Sequence, residues 1–147
     1  MAYSGKFRPK NPHKYRGNIN NIVWRSTWEL KLLKYLDSNS SVKEYASEEI
    51  VIPYHSPIDN KMHKYYVDFY VVYEAPDKTT KKYLVEVKPH IQTIQPIQPK
   101  RITESYNKSV MTYITNQCKW KAAKKFCEMN GLEFLVLTEY HLFGKKV

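Results

Sequence analysis

Glycine is scarce, with four in 147 residues. A loop that cradles nucleotide phosphates needs several glycines at fixed spacing, and none is present. Two cysteines, Cys118 and Cys127, lie in a Lys-rich stretch that reads as helical. Their spacing suits neither a zinc pair nor a redox pair, so free thiols in a reducing compartment are expected. The histidines His13, His55, His63, His90 and His141 are scattered, with no metal-binding pair on one helix or strand. No serine sits in a nucleophile elbow. No apolar run is long enough to span a bilayer, and no signal peptide opens the chain. The expectation is a soluble protein, cytoplasmic where it is made, with no membrane partner. Acidic residues are also few. Fourteen Asp and Glu face 24 Lys and Arg, leaving a net charge of +10. A surface of that sign attracts polyanions and gains from counterion release on nucleic acid.

What is present fits one ordinary domain. Hydrophobic residues make up 42% and charged residues 26%, so a real core is within reach and global disorder is excluded. Residues 1–25 form a basic arm with no acidic residue. Lys6, Arg8, Lys10, Lys14, Arg16 and Arg25 are candidates to track DNA phosphates. A merely solvated tail is the alternative, although Tyr3, Phe7, Tyr15 and Trp24 need something to pack on. The 13 tyrosines are read mainly as core and strand surface.

Residues 26–147 read as a single domain. Ser26 predicts an N-cap for a helix over about Trp28 to Asp37, with Leu32, Leu33 and Leu36 at helical spacing. Ile50-Val51-Ile52 predicts a short strand, Tyr65 to Tyr73 a long one, and Tyr83 to Lys88 the next. The last two should pair as an antiparallel hairpin through the turn at Ala75 to Thr79. The proline-bearing segment 89–101 reads as a loop. Two helices are expected, one over Glu104 to about Ile114 and another over about Lys119 to Asn130, the latter ended by Gly131. Phe134 to Leu137 reads as a further strand, and Thr138 as the cap of a short closing helix. The order implies an α/β fold with a mixed sheet flanked by helices.

Chemistry concentrates in Val85-Glu86-Val87-Lys88. Residues two apart on a strand share a face, so Glu86 and Lys88 project together while Val85 and Val87 enter the core. Such a pair suits phosphodiester hydrolysis. The carboxylate holds a divalent cation, and the lysine orients water or stabilises charge growing on phosphorus. Asp68 stands within Tyr66-Val67-Asp68-Phe69-Tyr70, where burial is costly unless it is paired or bound to metal. Glu29 shares the helix face of Leu32, Leu33 and Leu36, and could bring a third acid. Hard oxygen ligands favour Mg²⁺, with Mn²⁺ as substitute. Each piece has a plainer explanation. Ser26-Thr27-Trp28-Glu29 also matches a capping box, Asp68 could pair with a lysine, and Glu-x-Lys occurs on solvated strands. Lys119, Lys121, Lys124 and Lys125 suit either a phosphate grip or an ordinary solvated helix face.

Asp68 followed by Glu86-Val87-Lys88, after a helix bearing Glu29, resembles the PD-(D/E)xK nuclease superfamily, with its restriction-endonuclease-like fold. The helix acid points within it to TnsA-type transposon endonucleases. Val67 stands where the motif's name has proline. Further segments resemble nucleases that act in head completion of T-even-type tailed bacteriophages. They include Lys14-Tyr15-Arg16-Gly17, Val51-Ile52-Pro53-Tyr54, Lys119-Trp120-Lys121-Ala122-Ala123 and Leu137-Thr138-Glu139. The resemblance implies Glu29, Asp68 and Glu86 as metal ligands and Lys88 as catalytic base or charge stabiliser. It implies double-stranded DNA as substrate, head, portal or neck proteins as partners, and action in the host cytoplasm or on the virion. A homodimer would explain cutting of both strands, although no interface is legible. The rival expectations are a non-catalytic DNA-binding head protein at the portal, and a junction resolvase or transposon endonuclease of the same fold.

Overall fold

A computed structural model describes residues 4–144. The centre is a four-stranded mixed sheet built from β3 (Val42–Ser47), β6 (Phe69–Glu74), β7 (Thr80–Val87) and β8 (Glu133–Leu137), in the order β3-β6-β7-β8. The first three strands run antiparallel to their neighbours, and β8 lies parallel to β7. A parallel neighbour needs a crossover, which here is α2 (Glu104–Asn130). Beside the sheet stands a separate hairpin of β4 (Val51–Ser56) and β5 (Lys61–Tyr66). The architecture is thus α/β with a mixed central sheet and flanking helices, consistent with a restriction-endonuclease-like fold, as the sequence predicts.

The hairpin of β6 and β7 forms as expected, with Asp77 accepting from Thr79 N at 3.0 Å in its turn. Alternation along β7 sends Val85 and Val87 to one face of the sheet, and Leu84 and Glu86 to the other. Two cores result. One buries Leu32, Leu33 and Leu36 of α1 (Thr27–Ser38) against Val42, Tyr45, Phe69, Val71, Val85 and Val87. The other buries Ile52, Tyr54, Tyr65, Val67 and Leu84 beneath Trp120, Ala123 and Cys127 of α2. The helix ends follow their chemistry. Ser26 Oγ accepts from Glu29 N at 3.2 Å, and Gly131 takes the left-handed conformation (φ 69°) that closes α2. Thr138 caps α3 (Glu139–Phe143), whose Phe143 ring meets Trp28 edge-on at 6.0 Å.

Four expectations are corrected. The long strand from Tyr65 to Tyr73 is two strands, broken at Val67-Asp68. Val67 N donates to Ile50 O and Asp68 O accepts from Glu48 N, so this dipeptide is where the chain passes from pairing with β4 to pairing with β3. The two helices over 104–130 are one, because no residue between Ile114 and Lys119 breaks the backbone ladder. Strand β3 was not read from the sequence. Its Lys43, Glu44 and closing serine interrupt the apolar alternation.

The fourth correction concerns the N-terminal segment. β1 (Gly5–Lys6) pairs with β2 (Val23–Trp24), and Gly5 is needed there because a Cβ would lie 2.8 Å from the Trp24 ring. Tyr15 and Ile22 belong to the first core. The sequence places Lys14 among the phosphate-binding residues, but it is only 6% exposed. Its ammonium donates to the carbonyls of Leu36, Asp37 and Asn39 at 2.7, 2.9 and 2.9 Å. It therefore closes the C-terminus of α1, where a cation also complements the helix dipole. Asp37 completes the lock by accepting from Lys10 N, Asn11 N and the Tyr45 hydroxyl.

Candidate active site

The partner switch at Val67-Asp68 turns the Asp68 carboxylate toward the neighbouring strand, where Oδ2 accepts from Val87 N at 2.8 Å. This couples Asp68 to the strand that carries Glu86 and Lys88. Glu86 is 4% exposed and faces the second core. Its Oε1 accepts from the Tyr65 hydroxyl at 2.7 Å, and its Oε2 lies 3.5 Å from Lys88 Nζ. A buried carboxylate persists only with such partners. Glu86 and Lys88 do share a face, which α2 and the β4-β5 hairpin cover at Glu86, while the Lys88 side chain stays partly exposed at its rim.

Burial pushes the Asp68 carboxyl well above the ordinary carboxylate range. Glu86 adds to the rise, the Val87 N–H opposes it, Glu29 adds further, and Lys88 opposes it. Burial also raises Glu29. The Arg25 N–H counters that rise, and Glu48 and Glu86 reinforce it. The three expected acids therefore sit within electrostatic reach of one another. Among the described residues, however, no three Asp, Glu, His or Cys side chains converge closely enough to form a ready metal-holding cluster. Of the neighbouring charges, Glu86 is the one that raises Asp68 most. Glu29 Oε1 instead accepts from Arg25 N at 3.0 Å, just ahead of its own helix. That is close to the capping explanation, displaced by one residue from the box in which the carboxylate reaches the N-cap itself.

Several contributors escaped the sequence reading. Glu48 adopts a left-handed backbone (φ 56°), uncommon for a non-glycine residue, at the bend between β3 and β4. Its N–H donates to Asp68 O and its carboxylate grips Arg25 in a fork at 2.9 and 3.0 Å. Arg25, expected on DNA, is thus held beside the acids. Tyr65, which orients Glu86, was hidden among 13 tyrosines. The only signal for Glu48 was an acid doublet, Glu48-Glu49, in an otherwise basic chain.

The remaining expected cations are spread out. Lys6, Arg8 and Lys10 are exposed, and Arg16 pairs with Glu44 at 3.1 Å. On α2, Lys121 is exposed, whereas Lys119 is half-buried with Nζ 5.6 Å from the Tyr65 ring centroid. Burial pushes the Lys119 ammonium down from the usual lysine value, and Lys88 adds to this. Glu86 and Asp68 pull it back up. Lys119 therefore belongs to the electrostatics of the acid cluster, and Lys121, two residues on, does not face the same way.

The donor set fits a hard divalent cation. It consists of carboxylate oxygens with no sulfur and no imidazole beside them, and the mutual repulsion of Asp68 and Glu86 is relieved when positive charge enters.

Two comparisons with known proteins bear on the family of the chain. The chain is 37% identical over 143 residues to the head completion nuclease of Enterobacteria phage T4, covering 95% of this chain and 93% of that protein. Residues 39–139 match the family model described as the TnsA-like endonuclease N-terminal domain. That span contains Asp68, Glu86 and Lys88, while Glu29 lies ahead of it. Across most of its length, including the segments that carry Asp68, Glu86 and Lys88, the chain belongs to the TnsA-like endonuclease family.

Proposed function

We propose that the protein is a metal-dependent DNA endonuclease acting late in phage head completion, where it processes the packaged DNA end before tail joining. The observation that carries this reading is the juxtaposition of Asp68, just ahead of β6, with Glu86 and Lys88 at the end of β7, Asp68 being bonded to the backbone between the other two. Membership of an endonuclease family and likeness to a head completion nuclease support it. Asp68 and Glu86 would hold Mg²⁺, with Mn²⁺ as substitute, and Glu29 would support them from the helix side. When bound, the cation supplies Lewis-acid polarisation of the scissile phosphate.

The chain's own residues do the rest. Tyr65 holds Glu86 in one orientation. Lys88, at the edge of the acid pair, orients the attacking water or meets the negative charge that develops on phosphorus. Lys6, Arg8, Lys10, Arg16, Arg25, Lys119 and Lys121 would draw the duplex in through its backbone, without reading sequence. Lys14 has no part in this, since its ammonium is spent on α1. Double-stranded DNA is the proposed substrate, portal-side head or neck proteins are the proposed partners, and the assembling particle in the host cytoplasm is the proposed place.

A second reading, a non-catalytic DNA-binding head protein, draws on the engagement of Glu29 with Arg25 N in place of a three-acid cluster. Linear and supercoiled duplex DNA incubated with wild type, Asp68→Ala and Lys88→Ala, in Mg²⁺, Mn²⁺ and EDTA, separates the two. Endonuclease action requires metal-dependent cutting by wild type and its loss in both variants, with DNA binding largely kept in Lys88→Ala. Binding without cutting in either metal would give the second reading the lead.

A further inference from the structure

Beside Lys88, a groove of about 590 Å³ runs along the N-terminal half of α2. It falls within the size range of sites that hold small ligands. Glu104, Lys108, Thr112, Asn116 and Lys119 line it, together with Lys88 from the end of β7. These α2 positions recur at intervals of four and three, so they form one stripe down a single helix face. Three ammonium groups and one carboxylate line it; with Lys88 already 3.5 Å from Glu86, Lys108 and Lys119 outweigh Glu104, and the balance favours an anion.

Asn116 sharpens the picture. It is 3% exposed, and its Nδ2 has no hydrogen-bond partner among the described residues. A buried amide donor left unpaired is costly, and native proteins seldom keep one without a reason. Asn116 and Lys119, three residues apart on α2, both line the groove and supply an amide and an ammonium, both hydrogen-bond donors. What fits is a ligand with negative charge and several acceptor oxygens. Lys119 rests over Tyr65, whose hydroxyl holds Glu86, so the groove is continuous with the acid cluster.

We infer that this groove is a phosphate subsite, in which Asn116 and Lys119 hold the phosphodiester next to the scissile one on the strand being cut. The inference rests on the endonuclease reading for its place in the reaction, but its chemistry is independent of turnover.

The test uses the full chain and a labelled duplex oligonucleotide, first in EDTA and then with cutting in Mg²⁺. Lys119→Met removes one phosphate contact, so the plot of log affinity against log salt should become shallower by about 0.9. Asn116→Leu keeps the size and charge, and should weaken binding severalfold with no change in that slope. Asn116→Asp sets an anion against the phosphate and should weaken binding most at low salt. In Mg²⁺, Lys119→Met should raise KM more than it lowers kcat, the mark of lost uniform binding. Thermal melting checks that each variant is folded, and Asn116→Asp serves if Asn116→Leu is not. Wild-type slope and KM in Lys119→Met, together with wild-type affinity in a folded Asn116 variant, would overturn the subsite and leave the endonuclease reading intact. The expected binding changes with a wild type that never cuts would do the reverse.

Discussion

The two faces of the central sheet are built differently. The α1 face is largely apolar, with Leu33, Tyr45 and Phe69 almost wholly buried and the N-terminal segment folded over them. Its polar groups are matched. Lys14 meets three carbonyls, and Asp37 meets two backbone donors and the Tyr45 hydroxyl. The α2 face has a smaller core, and into it the chain sets the Glu86 carboxylate, the Asn116 amide and the Trp120 indole N–H. The last two have no hydrogen-bond partner among the described residues. Unmatched polar groups are costly in a core and useful at a site, because a substrate can satisfy what the fold leaves open. On the proposed endonuclease reading, the α1 face mainly holds the molecule together and the α2 face carries most of the chemistry.

That division predicts where stability and activity separate. The largest loss of stability should come from Leu33→Ala, at a position with no exposure. Leu-to-Ala changes in cores cost about 2–5 kcal/mol. Denaturant melts should show that loss, while cutting per folded molecule stays near wild type. A specific fall in the rate of the folded fraction would break the division of labour. Lys14→Met comes next. It leaves three helix-end carbonyls without their donor, at roughly 1–3 kcal/mol for the unmatched groups. DNA affinity and its salt dependence should be unchanged, because the Lys14 ammonium faces the helix end and not solvent. A shallower salt slope in this variant would return Lys14 to the DNA surface.

How much of this was legible follows from the kind of signal each residue leaves. Strand β7 declared itself, since two valines and two charged residues alternate with period two. Ser26, Gly131 and Thr138 declared the helix ends through capping chemistry that operates locally. The partner switch at Val67-Asp68 did not, because a strand that exchanges one neighbour for another keeps its apolar and aromatic composition. The basic arm misled for a related reason. Lys14 carries the same charge as its neighbours, and only the approach of α1's C-terminus, 22 or more residues away, makes it a structural residue. Glu29 remained double-edged in both views, as a helix-start carboxylate lying within reach of two other acids.

The smallest expected change in stability belongs to Tyr65→Phe, and it makes the sharpest cut between the faces. The ring stays in the second core and only the hydroxyl is lost, so the cost should be about 1 kcal/mol, the net worth of one hydrogen bond. Glu86 loses the donor that fixes its orientation at 2.7 Å. Groups that orient a metal-holding residue typically matter by roughly 10–100-fold in metal affinity or activity. Cutting measured across a Mg²⁺ titration should therefore show the midpoint moving to higher metal, with the maximal rate largely recovered at saturation. A merely structural hydroxyl would lower the melting temperature and leave that midpoint where it was. An unchanged midpoint would remove Tyr65 from the site and return it to the core, as one more buried tyrosine on the α2 face.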